Sequence, residues 1–245
     1  MAKRSDFLIV LSLSIMVVLP SIGYPYIPPT AQIIEFMSDK FATIRTLKIT
    51  QLTRIRDLNQ EIEKVFGEII YVRSPDLYRS EIAGQPGKRL LINNGKKTLS
   101  IINGGIAYER QARDPVYRFL LLAQSPKRLL DILKGFDISI DKASLTRFEG
   151  RIAYLIGEKE EGSPRLLVDK DLFLPLLLEY GNILLRFSDY RELREGIWYP
   201  YKIVYSLEYE AITEEYTVKD VIVNPRLDLS LFNISLIRAR FGKSE

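Results

Sequence analysis

The chain is 245 residues long, 47% hydrophobic and 27% charged, with a formal net charge of +4. That size supports one large domain or two small ones with a real apolar core, and the weak charge, spread without a basic block, argues against a nucleic-acid binder. It contains no His and no Cys, which excludes disulfides, thiol chemistry, cysteine metal sites, His-based triads and an N-terminal lipid-modified cysteine.

In chain order, residues 1–23 have the layout of a secretory signal. Lys3 and Arg4 are followed by an apolar run from Phe7 to Leu19, then Pro20 and the small residues Ser21 and Gly23. The run is 13 residues, roughly 20 Å as a helix against about 30 Å of hydrocarbon. The alternative is an uncleaved anchor reaching Ile27. A Pro-rich spacer, Tyr24 to Pro29, leads to a helix expected from Thr30, as N-cap, to about Ile44. Its Ile33, Ile34, Met37, Phe41 and Ile44 form one apolar stripe. That stripe either packs on a core or lies inside a curved sheet, where a ligand could share it.

Strand-like runs then alternate with polar turns. The organising stretch is Gly67 to Arg79: a strand rich in Ile, Tyr and Val, the turn Ser74-Pro75-Asp76, and a second strand from Leu77. Leu90 to Ile92 runs into Asn93-Asn94-Gly95-Lys96, a strong hairpin signal, with a return strand over Thr98 to Ile102. Asp114-Pro115 and Ser125-Pro126 each open a short helix, the second ended by Gly135. The first carries Val116, Phe119, Leu120, Leu121 and Leu122, more apolar surface than one buried stripe needs, as a lid over a cavity or a plug in a core would. Strands resume after Phe136 and continue to Asn224-Pro225, with Pro175 marking an edge, a strand start or a bulge. The acidic tip Glu158 to Gly162 reads as a solvated turn. Asp228 to Phe232 reads as one helical turn, and the basic end as a frayed tail. About ten or eleven strands are expected, without the strand–helix alternation of a parallel sheet.

Leu90-Leu91-Ile92 and Leu176-Leu177-Leu178 are apolar on both faces, so both faces need covering. Little helix is available for this. An unclosed barrel would leave an apolar hollow suited to acyl chains, each buried CH₂ contributing about 0.8 kcal/mol.

Taken together, these motifs resemble the periplasmic lipoprotein-carrier family, the LolA/LolB-like outer-membrane lipoprotein-sorting proteins. The resemblance rests on Gly67 to Tyr78, Leu91 to Lys96, the helices within Asp114 to Lys134, Asp169 ahead of Leu174-Pro175, Phe187 to Tyr190, Trp198-Tyr199-Pro200 and Leu231-Phe232, in that order. It implies a large curved antiparallel sheet forming an unclosed barrel, with an N-terminal helix and two short helices over its concave face. It also implies a lipid-binding cavity, with Ile33, Met37, Phe41, Ile69, Tyr71, Tyr78, Leu91, Phe119, Leu120 and Leu177 as the expected wall. Arg73 sits where the family has its functional arginine, although Ser74 separates it from Pro75.

The domain plan that follows is a leader at 1–23, a single half-barrel at 24–235 and a tail at 236–245. The expected function is a soluble, monomeric periplasmic carrier of lipid or lipoprotein acyl chains, passing between an inner-membrane transporter and an outer-membrane acceptor. Neither cofactor nor metal is expected, and no spacing sets a nucleophile beside a base, so no catalysis is expected. The alternative is a lipid-sensing or protein-interaction module on the same fold.

Overall fold

The computed structural model describes residues 26–57, 59, 61–83, 87–95, 97–107, 117–207 and 212–241. The expected leader and the Asp114-Pro115 helix start lie outside the described residues.

Thirteen strands form one antiparallel sheet: β1 (Thr46–Asp57), β2 (Ile62–Arg73), β3 (Leu77–Ala83), β4 (Arg89–Asn94), β5 (Thr98–Ile102), β6 (Gly105–Ala107), β7 (Ala143–Phe148), β8 (Arg151–Gly157), β9 (Arg165–Asp169), β10 (Pro175–Tyr180), β11 (Ile183–Arg194), β12 (Ile197–Leu207) and β13 (Ile212–Val223). The count exceeds the expected ten or eleven because every short run beside a turn finds a partner, down to the three-residue β6. The helices are α1 (Thr30–Asp39), α2 (Tyr117–Leu121), α3 (Pro126–Gly135) and α4 (Ile234–Phe241), with a 3-10 turn at Leu229–Phe232.

The strand order is β6-β5-β4-β3-β2-β1-β13-β12-β11-β10-β9-β8-β7, and the sheet does not close. It is two hairpin meanders joined where β1 pairs with β13. The chain ends the first meander at one edge and starts the second at the other. It must therefore traverse the whole sheet between β6 and β7, and α2 and α3 lie in that crossing. The lid position is thus a consequence of topology.

The turns form for local reasons. In the β4–β5 hairpin, Asn93 Oδ1 accepts from Gly95 N at 2.8 Å, and Gly95 has φ 82°, a conformation cheap only for Gly or Asn. Ser125 caps α3, its hydroxyl oxygen accepting from Arg128 N at 3.3 Å with Pro126 at the first helical position. The expectation for α1 was different: Pro29 is its cap, and Thr30 is already helical with its buried hydroxyl unpartnered among the described residues. Pro29 O accepts from Gln32 N and Ile33 N instead. Pro175 opens β10 beside a register shift, as a residue lacking N–H should.

One side chain joins the two meanders. Asn224, at φ 54°, accepts from Arg45 N at 2.7 Å and Thr46 N at 3.2 Å through Oδ1, and donates through Nδ2 to Thr43 O at 3.0 Å. It ties the end of β13 to the turn between α1 and β1. Asn224→Ala is expected to cost about 2 kcal/mol, from lost hydrogen bonds and a left-handed backbone. Asn224→Gly relieves only the backbone part. Urea unfolding of both variants separates the two terms, and wild-type midpoints in both would refute the bridging role.

Part of the end expected to fray, up to Phe241, is ordered against the sheet. Ile234–Phe241 is helical, and Ile234 and Ile237, three apart, are buried against Ile92, Leu99 and Ile101. Strand alternation turns Ile92 away from Leu91, which packs in the main core. α4 therefore covers the outer face of the first meander, where apolar strands left it needing cover.

Candidate inner-face binding site

The face that α1, α2 and α3 cover is the inner face. Alternation selects its side chains: Leu47 and Ile49 on β1, Ile70 and Val72 on β2, Tyr78 on β3 and Leu91 on β4 all belong to the main core. From the second meander come Ile156, Val168, Leu178, Leu185, Phe187, Tyr199 and Ile203. The helices press into this wall. Ile33, Ile34 and Met37 of α1, with Phe41 and Ile44 after it, are wholly buried, as are Leu129 and Leu133 of α3 and Leu120 of α2. Each such side chain contributes about 1.5–3 kcal/mol of burial.

The helices pack tightly on this wall. Among the described residues, a cavity of about 10 Å³ lies between α2 and the sheet, bounded by Leu47, Ile49, Ile70, Val72, Tyr78, Arg118, Leu121, Leu122 and Tyr199, room for one water at most.

The lid is held by a few contacts that sequence reasoning did not single out. The Arg118 guanidinium of α2, 7% exposed, lies 4.7 Å from the Tyr78 ring centroid, a cation–π contact in an apolar wall. Arg128 of α3 donates to Asp76 Oδ1 at 3.0 Å and Pro75 O at 3.2 Å, so the turn after β2 is its anchor. Gln124, between α2 and α3, donates to Ile44 O and accepts from Arg45 Nη1. The Ser-Pro-Asp turn was visible in the sequence; its arginine partner, some 50 residues away, carries no local signal.

The expected wall residues divide. Ile33, Met37, Phe41, Tyr78, Leu91 and Leu120 lie together in the inner core. Ile69 and Tyr71 alternate with Ile70 and Val72 and so sit on the outer face, half-buried. Leu177 packs in a separate outer cluster with Ala153, Leu155, Leu167 and Leu176. A period of two puts only one of two adjacent apolar residues inside, and these three are the other one. The Phe119 side chain lies outside the described residues. Arg73 is exposed at the end of β2.

Farther along β1 and β2 the inner face turns polar. Glu68, 8% exposed, accepts from Gln51 Nε2 at 2.8 Å and Thr53 Oγ1 at 2.6 Å, and Ser80 Oγ donates to its other oxygen. Three neutral donors thus share one carboxylate, which satisfies a group otherwise costly to bury. Among the described residues no three Asp or Glu side chains gather as a metal would require.

Burial also governs the tyrosines. It holds the phenols of Tyr199, Tyr180 and Tyr190 well above their ordinary value; Tyr205 adds to the effect at Tyr180, while both Tyr199 and Asp169 add to it at Tyr190. Tyr216 is raised by burial and then by Glu214. Above pH about 10 the unfolded phenols lose protons that the folded ones keep, so the native state binds more protons and stability falls with rising pH. The melting temperature is therefore expected to hold up to pH about 10 and to drop steadily beyond it. The last part of the tyrosinate absorbance, from the buried rings, should appear together with unfolding. Full ionisation with an unchanged melting temperature would contradict burial of these rings.

No family model and no curated protein matches the chain. Solved structures do. A LolA superfamily protein from Nitrosomonas europaea superposes with a TM-score of 0.57 at 11% identity, over 85% of this chain and 100% of that one. The chain has the LolA-type fold. A DUF1329 family protein from Desulfovibrio piger (TM-score 0.55, 14% identity, 86% of this chain and 99% of that one) shares it. So does a domain from Vibrio parahaemolyticus described as an outer membrane lipoprotein-sorting protein (0.54, 11%, 85% and 97%). In this chain helices lie over the inner face of an unclosed antiparallel sheet, as the family resemblance implied. Among the described residues no helix is long and apolar enough to cross a membrane.

Proposed function

We propose that the protein is a periplasmic carrier that takes acyl chains of a lipid or lipoprotein onto its inner face and passes them between the inner and outer membranes. The observation that carries this reading is the apolar inner wall closed by a short, separately tethered helix. α2 is five residues long and is followed at once by the Gln124 linker, so few backbone hydrogen bonds resist its displacement. Cargo would displace α2 and take over its contacts with Leu47, Ile49, Ile70, Val72 and Tyr199. The polar patch around Glu68 would mark the end of the acyl-binding wall. Release follows when a transporter or acceptor offers the chains a better apolar surface and α2 returns. No catalytic residue enters this scheme. The leader at 1–23 would direct export and be removed, and Arg73, exposed beside the lid anchor, is placed to meet a partner rather than the tails.

The tight seating of α1 and α3 on the inner wall, with Ile33, Ile34, Met37, Leu129 and Leu133 wholly buried, favours a second reading, a lipid-sensing or interaction module whose closed state is the working one. Mass spectrometry of the mature chain, purified without detergent and again after incubation with phospholipid and lipopeptide micelles, tests the first. Acyl-bearing species bound to the folded protein support carriage. Their absence under both conditions removes the carrier reading and lipid sensing together and leaves a protein-interaction module.

A further inference from the structure

Cations scattered along the sequence are gathered by the topology at one end of the first meander. Arg45 precedes β1 and Arg73 ends β2, with Thr46 opposite Arg73 in the register. Arg73 is opposite Leu77, and Leu77 is opposite Asn94. Lys97 lies at the same end, its N–H donating to Asn94 Oδ1 at 2.9 Å. β13 brings Arg226 there: Asn224 N donates to Thr46 O at 2.8 Å, and Thr46 Oγ1 donates to Pro225 O at 2.7 Å. Arg238 of α4 shares a cleft with Lys97. All five cations are exposed, and none forms an ion pair among the described residues.

Few acids offset them. Asp76 is paired with Arg128 at 3.0 Å, and Asp228 accepts from Ser230 N at 2.9 Å. Five cations against Asp228 leave an excess of four positive charges at this end. The excess is local. At the far end of β1 and β2, Arg54 and Arg56 both pair with Glu63, at 3.3 and 2.7 Å. Beside β13, the β11–β12 hairpin tip carries Glu192 and Glu195 with Arg194. From β5 to β13 the cations span five strand spacings, roughly 24 Å, which an extended surface can meet and a single small anion cannot.

The cleft between Lys97 and Arg238 measures about 480 Å³. Asn94, Asn233, Ser235 and Leu229 also border it, and no acid does. Leu229 is 55% exposed, and Leu236 of α4 is 40% exposed. Charge alone would equally suit an acidic protein. Exposed leucines set among the cations favour a bilayer, whose phosphates lie directly over hydrocarbon. A second copy of this chain is disfavoured, because it would bring the same positive excess to the contact.

We propose that this end of the first meander docks on an anionic phospholipid surface, with the five cations on the phosphates and Leu229 entering between headgroups. The contact lies beside the Arg128–Asp76 anchor of α3, so the docked protein holds its lid at the membrane. The inference deepens the carrier reading, since a carrier must meet the membranes it serves, but its readout needs no acyl uptake.

The probe is a phospholipid vesicle. The mature chain from residue 24, free of the apolar run of the expected leader, is co-sedimented with vesicles of phosphatidylcholine alone and of equimolar phosphatidylcholine and phosphatidylglycerol. Binding to the anionic vesicles is expected to be at least about tenfold tighter and to weaken steeply with added salt. Arg73→Glu combined with Arg226→Glu should abolish that preference and leave the melting temperature unchanged. Arg147→Glu combined with Arg186→Glu, an equal charge change at exposed positions on the second meander, should keep most of it. Equal binding to both vesicles, binding to neither, or equal losses in the two double variants overturns the proposal. Retention by immobilised polyglutamate without vesicle binding also overturns it and assigns this end to an acidic protein. Docking by a chain that carries no acyl species in mass spectrometry keeps this inference and removes the carrier reading; carriage without docking does the reverse.

Discussion

Lengthening a bound acyl chain by four methylenes is expected to tighten its retention by roughly 3 kcal/mol, about two-hundredfold, since each buried CH₂ contributes about 0.8 kcal/mol. In the proposed mode those carbons would lie on the apolar wall that runs through Leu47, Ile49, Ile70, Val72 and Tyr199. The same arithmetic predicts a threshold. Displacing α2 uncovers Leu120, Leu121 and Leu122, which are at most 7% exposed in the closed state. At about 1.5–3 kcal/mol for each leucine, roughly 5–9 kcal/mol must be recovered before binding shows, or about six to eleven methylenes. Short chains should therefore bind undetectably, and affinity should climb steeply once the threshold is passed. Titration calorimetry with a lysophospholipid series of increasing chain length reads this directly. A flat dependence on length would mean that the tails do not enter the inner face.

Phe41→Ala should destabilise the fold by about 3–5 kcal/mol, among the largest effects available from one substitution. Phe41 follows α1, is 0% exposed and packs in the main core, with its N–H donating to Ser38 O at 3.1 Å. Removing its ring leaves a void that the sheet and α3 cannot collapse into without dragging the tethered turn with them. Phe36, within α1 and 37% exposed, meets Phe173 edge-on with ring centroids 4.8 Å apart, and its alanine variant should cost only on the order of 1 kcal/mol. Urea unfolding of the pair gives the contrast. Equal costs would mean that α1 is not seated as described.

Much of the site was readable from local sequence because the information is local. Ile33, Met37 and Phe41 recur at helical spacing, and their stripe is what the sheet buries. Asn93 to Gly95 and Ser125-Pro126 encode their turn and cap in adjacent residues. Arg118, Arg128 and Asn224 escaped notice because each acts on a partner far along the chain: Tyr78, Asp76 and the backbone near Arg45. Ile69, Tyr71 and Leu177 were assigned to the wrong face for a different reason. Where neighbouring positions are both apolar, alternation says that one faces inward but not which one.

The sequence by itself determined an antiparallel sheet of short hairpins, apolar on both sides, with two helices inserted near its middle. Those properties follow from turn chemistry, alternation and capping, which act over a few residues. Only the tertiary structure decided what covers each face. The passage from β6 to β7 forces α2 and α3 across the inner face, and α4 returns over Ile92, Leu99 and Ile101 on the outer one. Whether the hollow stands open or filled depends on how side-chain volumes from distant segments add up in one space, and no local pattern carries that sum.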